Sequence, residues 1–352
     1  MHQNTYNAYA VTGAAGFLGS QMVSYLLNEG KEVIATDIKK PEWLETYQHR
    51  YSDALKFMKA DLTDQESLEK ALRGAKFLFH FGALFNHSAD PHLLTKINID
   101  GTSNVLAAAV RCDLERIIHI GSMSVYGHEQ IAVAGEKYAI TERKIPAPAD
   151  PYATSKQASR EIAAAYNNMN KMEVAIVDPA GIFGPGSFYG NAELIAMLLK
   201  GAMLLPDGGK HKASMIHSTD VIRMCDYVMH LPTAKLSSEK DAQEISYLAA
   251  DTTPATGKEL LEMIWNEIPE EFQKQTLKAI TQKIPLQKWF VKPVAKLSKQ
   301  YQMMYGFGDH SASPEKIMNL GFKHQFPFTQ QTVQDVMNWH KQKGFIAKLK
   351  NK

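Results

Sequence analysis

The sequence predicts an α/β chain, a doubly wound parallel sheet with a smaller, mostly helical lobe. Three observations predict it. Short apolar, β-rich runs alternate with amphipathic helical patterns through the first half of the 352 residues. The first run leads into a glycine-rich turn that opens a helix. After about residue 180 the alternation loosens, and Gly184-Pro185-Gly186 and Pro206-Asp207-Gly208-Gly209 punctuate the chain.

The elements follow in order. Tyr9 to Thr12 is a short strand, and Phe17 to Asn28 is a helix stopped by Gly30. Further strands are expected at Lys31 to Asp37, Leu55 to Ala60, Lys76 to Phe81, Arg116 to Ser122 and Glu173 to Asp178. Helical patterns at 65–73, 91–111 and 152–169 separate them. Beyond residue 180, helices are expected at 191–200, 219–230, 257–268 and 329–342, and a strand at 245–249. Ligands of such a sheet bind at the carboxyl ends of its strands, and each motif below falls at one of those ends.

Composition narrows the function. Hydrophobic residues at 45% and charged residues at 22% match an ordinary globular chain and exclude disorder as a class. With 39 Lys and Arg against 37 Asp and Glu, the net charge of +2 offers no field for nucleic acid. The two cysteines, Cys112 and Cys225, cannot build a disulfide framework or a structural zinc site, and they suit a reducing cytosol. No signal peptide is visible at the amino terminus, and no apolar run approaches the ~20 residues of a membrane-spanning helix. A cytoplasmic protein without a metal site is expected.

The turn after the first strand reads TGAAGFLG at 12–19, with glycines at 13, 16 and 19. Gly13 permits a tight turn, Gly16 lets backbone N–H groups approach a pyrophosphate, and Gly19 lets the helix pack on the sheet. Asp37 ends the second strand, 18 residues after Gly19. An acid there accepts hydrogen bonds from the adenosine ribose and repels a 2′-phosphate, so NAD is expected over NADP, although Lys39-Lys40 follows closely. Asp61-Leu62 ends the third strand, where the carboxylate could meet an adenine amine or shape a turn.

Tyr152 and Lys156 start a predicted helix at i and i+4, on one face. A free tyrosine, with a pKa of about 10, is a poor base at neutral pH. An ammonium beside it, with a positive nicotinamide ring, favours the phenolate. Tyr152 can then exchange a proton with an alcohol or ketone as a hydride moves. Ser122, after the fifth strand, can hydrogen-bond the substrate oxygen, or it can simply cap the turn.

Taken together, these motifs resemble an extended short-chain dehydrogenase/reductase of the NAD-dependent epimerase/dehydratase family. The resemblance covers about residues 8–230 through TGAAGFLG, NIDGTSNVL at 98–106, GSMSVYG at 121–127, PYATSK at 151–156 and IHSTDV at 216–221. LGF at 320–322 and Trp339 fit the family's tail. The resemblance implies a Rossmann-type domain over 1–180, to which 217–250 returns, with 181–216 and 251–352 forming a substrate lobe and carboxyl-terminal lid. It implies Ser122, Tyr152 and Lys156 as the catalytic group. Gly13, Gly16, Phe17, Leu18, Asp37, Asp61, Leu62, Phe81, Gly82, Ala83, Asn98, Tyr152, Lys156 and Pro179 would line the NAD site. Ser124, Phe85, Phe183, Tyr189 and His217 would face the substrate, although His217 fits a structural role equally well. It also implies a homodimer through the helices at 91–111 and 152–169, which carry small residues such as Ala107, Ala108, Ala109, Ala158, Ala163, Ala164 and Ala165.

Some positions depart from the pattern of sugar-nucleotide enzymes. Phe85 stands where a lysine is frequent, Ala213 where an arginine often holds a diphosphate, although Lys210 and Lys212 are close, and Asp178 where an arginine often precedes Pro179. Fewer cations and the aromatic stretch Phe183 to Tyr189 point toward a neutral, sterol- or lipid-like substrate, as in the 3β-hydroxysteroid-dehydrogenase-like branch. The alternative is a sugar-nucleotide epimerase or dehydratase that keeps NAD bound. From Phe272 to Gly308 seven lysines stand without an acid, interleaved with Trp289 and Phe290. This stretch reads either as a lid with a solvated lysine face or as a peripheral membrane contact.

Overall fold

A computed structural model describes residues 8–87, 89–127, 137–138, 140–142, 150–169, 172–187, 195, 209–233, 241–270 and 309–344. Seven strands form the main sheet. In chain order they begin with β1 (Ala8–Thr12), β2 (Val33–Asp37), β3 (Leu55–Lys59) and β4 (Ala75–His80). β5 (Arg116–Ile120), β6 (Glu173–Pro179) and β10 (Ser246–Ala249) complete it. Their order across the sheet is β3-β2-β1-β4-β5-β6-β10. The pairs β1–β2, β1–β4, β2–β3, β4–β5 and β5–β6 are all parallel. The order reverses between β1 and β4, and a doubly wound sheet has its crevice at such a reversal. Parallel strands are covered on both faces, which is why β1 reads as the unbroken run AYAVT and is buried at all five positions.

Two compact units divide the chain. The first comprises 1–125, 150–178 and 222–247, and the second comprises 126–149, 179–221 and 248–352. The first unit holds the helices α1 (Phe17–Asn28), α2 (Leu44–Arg50), α3 (Gln65–Leu72), α4 (Pro91–Leu94), α5 (Gly101–Arg111) and α6 (Pro151–Met169). α1 buries Gly19, Met22, Val23, Leu26 and Leu27, an i, i+3, i+4, i+7, i+8 stripe. Gly30 ends it at φ +70°, a left-handed position that glycine adopts without strain. α3 starts at Asp64, whose carboxylate accepts from the N–H groups of Glu66 and Ser67. On one side of the sheet Leu68, Leu72, Leu78, Val105, Leu106, Ile117 and Ile176 form a continuous core.

The helix expected over 91–111 is not continuous. α4 and α5 are joined by a π-helical turn over Thr95–Asp100. The wider turn places Asn98 inside, where its side chain bonds both backbone groups of Leu84, at 2.7 and 3.1 Å, and the Ser155 hydroxyl at 2.9 Å. Those three bonds offset the poorer π-turn geometry. α2 escapes the sequence pattern because only Leu44 is buried on it. Four of the small residues on α5 and α6, Ala108, Ala109, Ala163 and Ala164, belong to the chain's own core, whereas Ala165 is exposed.

The second unit has its own core of Phe183, Met215, Leu261, Ile264, Phe328, Val333 and Met337. Its short strands β7 (Gly181–Phe183) and β9 (Met215–His217) pair in parallel, and β8 (Lys212–Ala213) pairs antiparallel with β11 (Ala255–Thr256). α7 (Ser218–Met229) passes from the second unit into the first. α8 (Gly257–Trp265) and α10 (Gln330–Gln342) both begin with capping boxes, and α9 (Glu315–Asn319) lies between them in sequence. α8 stops three residues short of the expected 268. The helix expected at 191–200 lies outside the described residues except at Ile195, and the lysine-rich stretch 272–308 lies wholly outside them. Among the described residues no helix is long and apolar enough to cross a membrane, and no group of His, Cys, Asp or Glu could hold a metal ion.

Gly19 lets α1 pack tightly on the turn that opens it. A Cβ there would overlap the Gly13 carbonyl oxygen and stand 3.0 Å from the Ala14 Cα, and both obstacles are backbone. Gly19→Ala is expected to destabilise the protein by about 1–3 kcal/mol, the usual cost of overpacking, as read from urea unfolding.

Candidate active site

The turn from β1 to α1 lies against the end of β4. Gly13 has φ +69°, and a Cβ on it would stand 2.8 Å from the Gly82 nitrogen and 2.9 Å from the Phe81 carbonyl carbon. Only glycine serves both the backbone angle and the close approach. Leu62 packs over Gly82 and Gly101. The structure therefore brings Gly13, Leu62, Phe81 and Gly82 together at the reversal point of the sheet.

α1 begins at Gly16 with no side-chain cap and no acid in its first turn. The leading N–H groups, including those of Phe17 and Leu18, have no partner within the helix and can receive an anion such as a pyrophosphate. Asp37 ends β2 beside this turn. One of its oxygens accepts from the Ala15 N–H at 3.0 Å and the other from the Lys39 N–H at 3.2 Å. Asp61 bonds the Thr63 N–H and hydroxyl, and these two bonds hold its carboxyl below the ordinary range. Its turn-forming role is thus realised locally. Ala83 is exposed just past β4, and Asn98 holds the next residue, Leu84.

Tyr152 and Lys156 face inward from the first two turns of α6, and both are buried. Asp150 caps that helix, its carboxylate accepting from the Ala153 N–H at 2.9 Å and its carbonyl from the Thr154 N–H at 2.9 Å. Pro151 at the first helical position needs no donor partner, so Asp150-Pro151 is a start signal legible in the sequence. Lys156 Nζ donates to the Ile120 carbonyl at 2.5 Å, at the end of β5. Burial lowers Lys156 to about 8; Asp178 opposes this and Arg160 adds to it. Ser122 follows β5, with its hydroxyl 2.8 Å from that of Ser124.

The chain's own groups act against ionisation of the phenol. Burial pushes Tyr152 up from the ordinary tyrosine value; a hydrogen bond from Ser122 opposes the rise, and the charges of Asp150 and Asp178 add to it. The Lys156 ammonium, engaged with Ile120, is not among the causes. The chain's own groups therefore favour the protonated phenol, because desolvation outweighs any local help to the anion.

Three further side chains shape this corner. Asp178 at the end of β6 accepts from the Ser122 N–H at 3.0 Å and pairs with Arg160 of α6 at 3.1 Å, both side chains fully buried. Their identities carry no motif signal beyond the departure at Asp178. His87, between β4 and α4, lies with Nδ1 2.8 Å from an Asp150 oxygen. Its ring is 4.8 Å from that of Tyr152, and Phe85 packs edge-on to Tyr152 at 5.1 Å. Nothing in the sequence pattern marks His87. Under the sheet, His80 bonds the Thr12 hydroxyl at 2.7 Å, and burial, with Lys156 adding, lowers it to about 3.

The remaining candidates belong to the second unit. Pro179 ends β6. His217 stacks on Phe326 at 4.9 Å and meets Phe183 edge-on at 5.1 Å, and burial lowers its pKa. Its Nδ1 accepts from the Thr219 N–H at 3.2 Å, and Asp220 accepts from the Gln325 and Phe326 N–H groups. Tyr189 lies outside the described residues.

A sequence profile of the NAD dependent epimerase/dehydratase family matches residues 9–240. Short-chain dehydrogenase/reductase family 42E member 1 of Xenopus laevis is 24% identical over 369 residues, covering 97% of this chain and 90% of that protein. A 3 beta-hydroxysteroid dehydrogenase/Delta 5-->4-isomerase of Mycobacterium tuberculosis is 28% identical over 208 residues, covering 57% of this chain and 54% of that protein. The chain spans about half the length of several curated relatives that it matches. A solved structure of a double mutant of DesIV, a dTDP-glucose 4,6-dehydratase from Streptomyces venezuelae with NAD bound, superposes with a TM-score of 0.71 at 23% identity. That likeness covers 97% of this chain and 99% of the other, and at this identity it establishes the fold.

Gly121, just before Ser122, tests the packing of this corner. A Cβ there would overlap an Asp178 carboxylate oxygen and stand 3.1 Å from Ile176 Cγ2. Gly121→Ala is expected to displace the carboxylate from the Ser122 N–H and to destabilise the protein by about 1–3 kcal/mol, measured by chemical denaturation.

Proposed function

The chain belongs to the NAD dependent epimerase/dehydratase family, and from that premise we propose that it is an NAD-dependent oxidoreductase of the extended short-chain type, interconverting a secondary alcohol and a ketone on a neutral, apolar substrate. The observation that carries the reading is the convergence of Ser122, Tyr152 and Lys156 where β5 ends and α6 begins. The uncapped start of α1 would hold the pyrophosphate, Asp37 the adenosine ribose and Lys156 the nicotinamide ribose. When bound there, NAD supplies the hydride acceptor and a positive ring.

In the oxidising direction Tyr152 takes the hydroxyl proton as the carbon gives up its hydride, so the alcohol loses two electrons and two hydrogens. Ser122 donates to the substrate oxygen and keeps it in line with the phenol. Lys156 would fix the cofactor's orientation through the nicotinamide ribose. In the reducing direction Tyr152 returns the proton to the ketone oxygen. Tyr152→Phe is expected to keep NAD affinity, read by calorimetry, and to lose turnover by about 10²–10⁴-fold.

Phe85 supports the apolar substrate. It is 43% exposed and lies edge-on to Tyr152, an apolar surface left at the reacting group. Ala213 offers no cation for a diphosphate. The sugar-nucleotide reading draws on the dTDP-glucose dehydratase likeness. The two separate on net reduction of NAD⁺, followed by absorbance. Neutral secondary alcohols, sterols among them, are expected to give NADH, and UDP- and dTDP-sugars to give none. Turnover of a sugar nucleotide without net NADH would replace this proposal by the epimerase or dehydratase reading. Homodimer formation through α5 and α6 belongs to the same proposal, with Ala165 exposed and Ala107 and Ala158 half-buried as the small residues outside the chain's own core.

A further inference from the structure

We propose that His87, held by Asp150, is a positioning residue that governs how readily Tyr152 becomes a phenolate, a role that rests on the reading of Tyr152 as the acid–base group. Asp150 has two tasks. One oxygen caps α6 through the Ala153 N–H, and the other lies 2.8 Å from His87 Nδ1. A carboxylate oxygen only accepts, so Nδ1 carries a proton and donates it. Both residues are buried, at 7% and 5% exposure, where a charge is little screened by water.

The capping carboxylate stands two residues before Tyr152 in the chain, and its charge opposes a phenolate. The His87 N–H draws that charge toward the loop between β4 and α4, away from the phenol. The same imidazole packs at 60° to the phenol ring with Phe85 at 78°, so the two loop side chains also fix the plane of Tyr152. The other groups that act on the phenol's charge are Ser122, from the end of β5, and Asp178, from the end of β6. Lys156, one turn further along α6, is tied to Ile120. His87 thus acts on the phenol through Asp150 and through the packing of its ring.

The test follows the ionisation of Tyr152 itself. The full chain is labelled with [¹³Cζ]tyrosine and saturated with NAD⁺, and Tyr152→Phe identifies the resonance. H87F, which removes the donor, is expected to raise the midpoint by about one pH unit, a tenfold loss of phenolate at fixed pH. H87Q, which keeps an N–H donor, restores most of it. D150N lowers the midpoint. In the D150N background H87F moves the midpoint by less than a third of its effect in the wild type, because the charge it screens is gone. Where H87F alone fails to fold, H87F/D150N read against D150N still tests the proposal: a shift below about a third of a pH unit between them supports it, and a shift of about one unit overturns it. Equal shifts by H87F in both backgrounds, or no shift in either, overturn the proposal. The same series without NAD⁺ separates the two readings: a Tyr152 midpoint that NAD⁺ fails to lower counts against the proposed function, whereas the His87–Asp150 coupling stands or falls on the cycle alone.

Discussion

The buried pair of Asp178 and Arg160 is the constraint on which the rest of the site depends. Two charges with no exposure are held 3.1 Å apart, and breaking such a pair by removing one member costs about 3–5 kcal/mol. The pair is tied in on both sides. Asp178 also accepts from the Ser122 N–H, and Arg160 also donates to the Ser246 hydroxyl at 2.9 Å. The ends of β5 and β6, the start of β10 and the middle of α6 are therefore fixed to one another by polar bonds as well as by apolar packing. Tyr152 and Lys156 lie two turns and one turn before Arg160 on that helix, so their placement follows from the same anchor. Gly121 is glycine because the carboxylate fills the space its side chain would need.

Much of this was legible in the sequence, for physical reasons that differ from element to element. β1 and β2 could be read because strands covered on both faces read as nearly unbroken apolar runs. α1 could be read because its buried stripe and Gly30 stop are local signals. The π-turn around Asn98 was hidden, since it arises from bonds to Leu84 and Ser155, 14 and 57 residues away. The short strands β7, β8, β9 and β11 were hidden because two or three residues carry no periodicity. His87 was hidden for a similar reason: its meaning comes from Asp150, 63 residues later. Asp178 stands out in the sequence only as a departure from the family pattern, and nothing in that pattern marks Arg160, its buried partner.

Motif spacing alone does not set the ionisation of Tyr152. An i, i+4 pair on a helix places a phenol near an ammonium, but spacing says nothing about where the ammonium's proton donors go. Here Lys156 donates to the Ile120 carbonyl, and burial works against charge on either group: it lowers the lysine to about 8 and raises the tyrosine. Both shifts are desolvation effects, and both are relieved by a compensating charge brought into the same low-dielectric space. On the proposed reading, the phenolate becomes accessible when the positive nicotinamide ring is in place, so the base is generated in the complex that is able to accept the hydride. A phenol that ionised freely without the cofactor would need less burial, and less burial would admit water to the hydride path. The elevated phenol thus follows from its burial in the corner that Asp178 and Arg160 anchor.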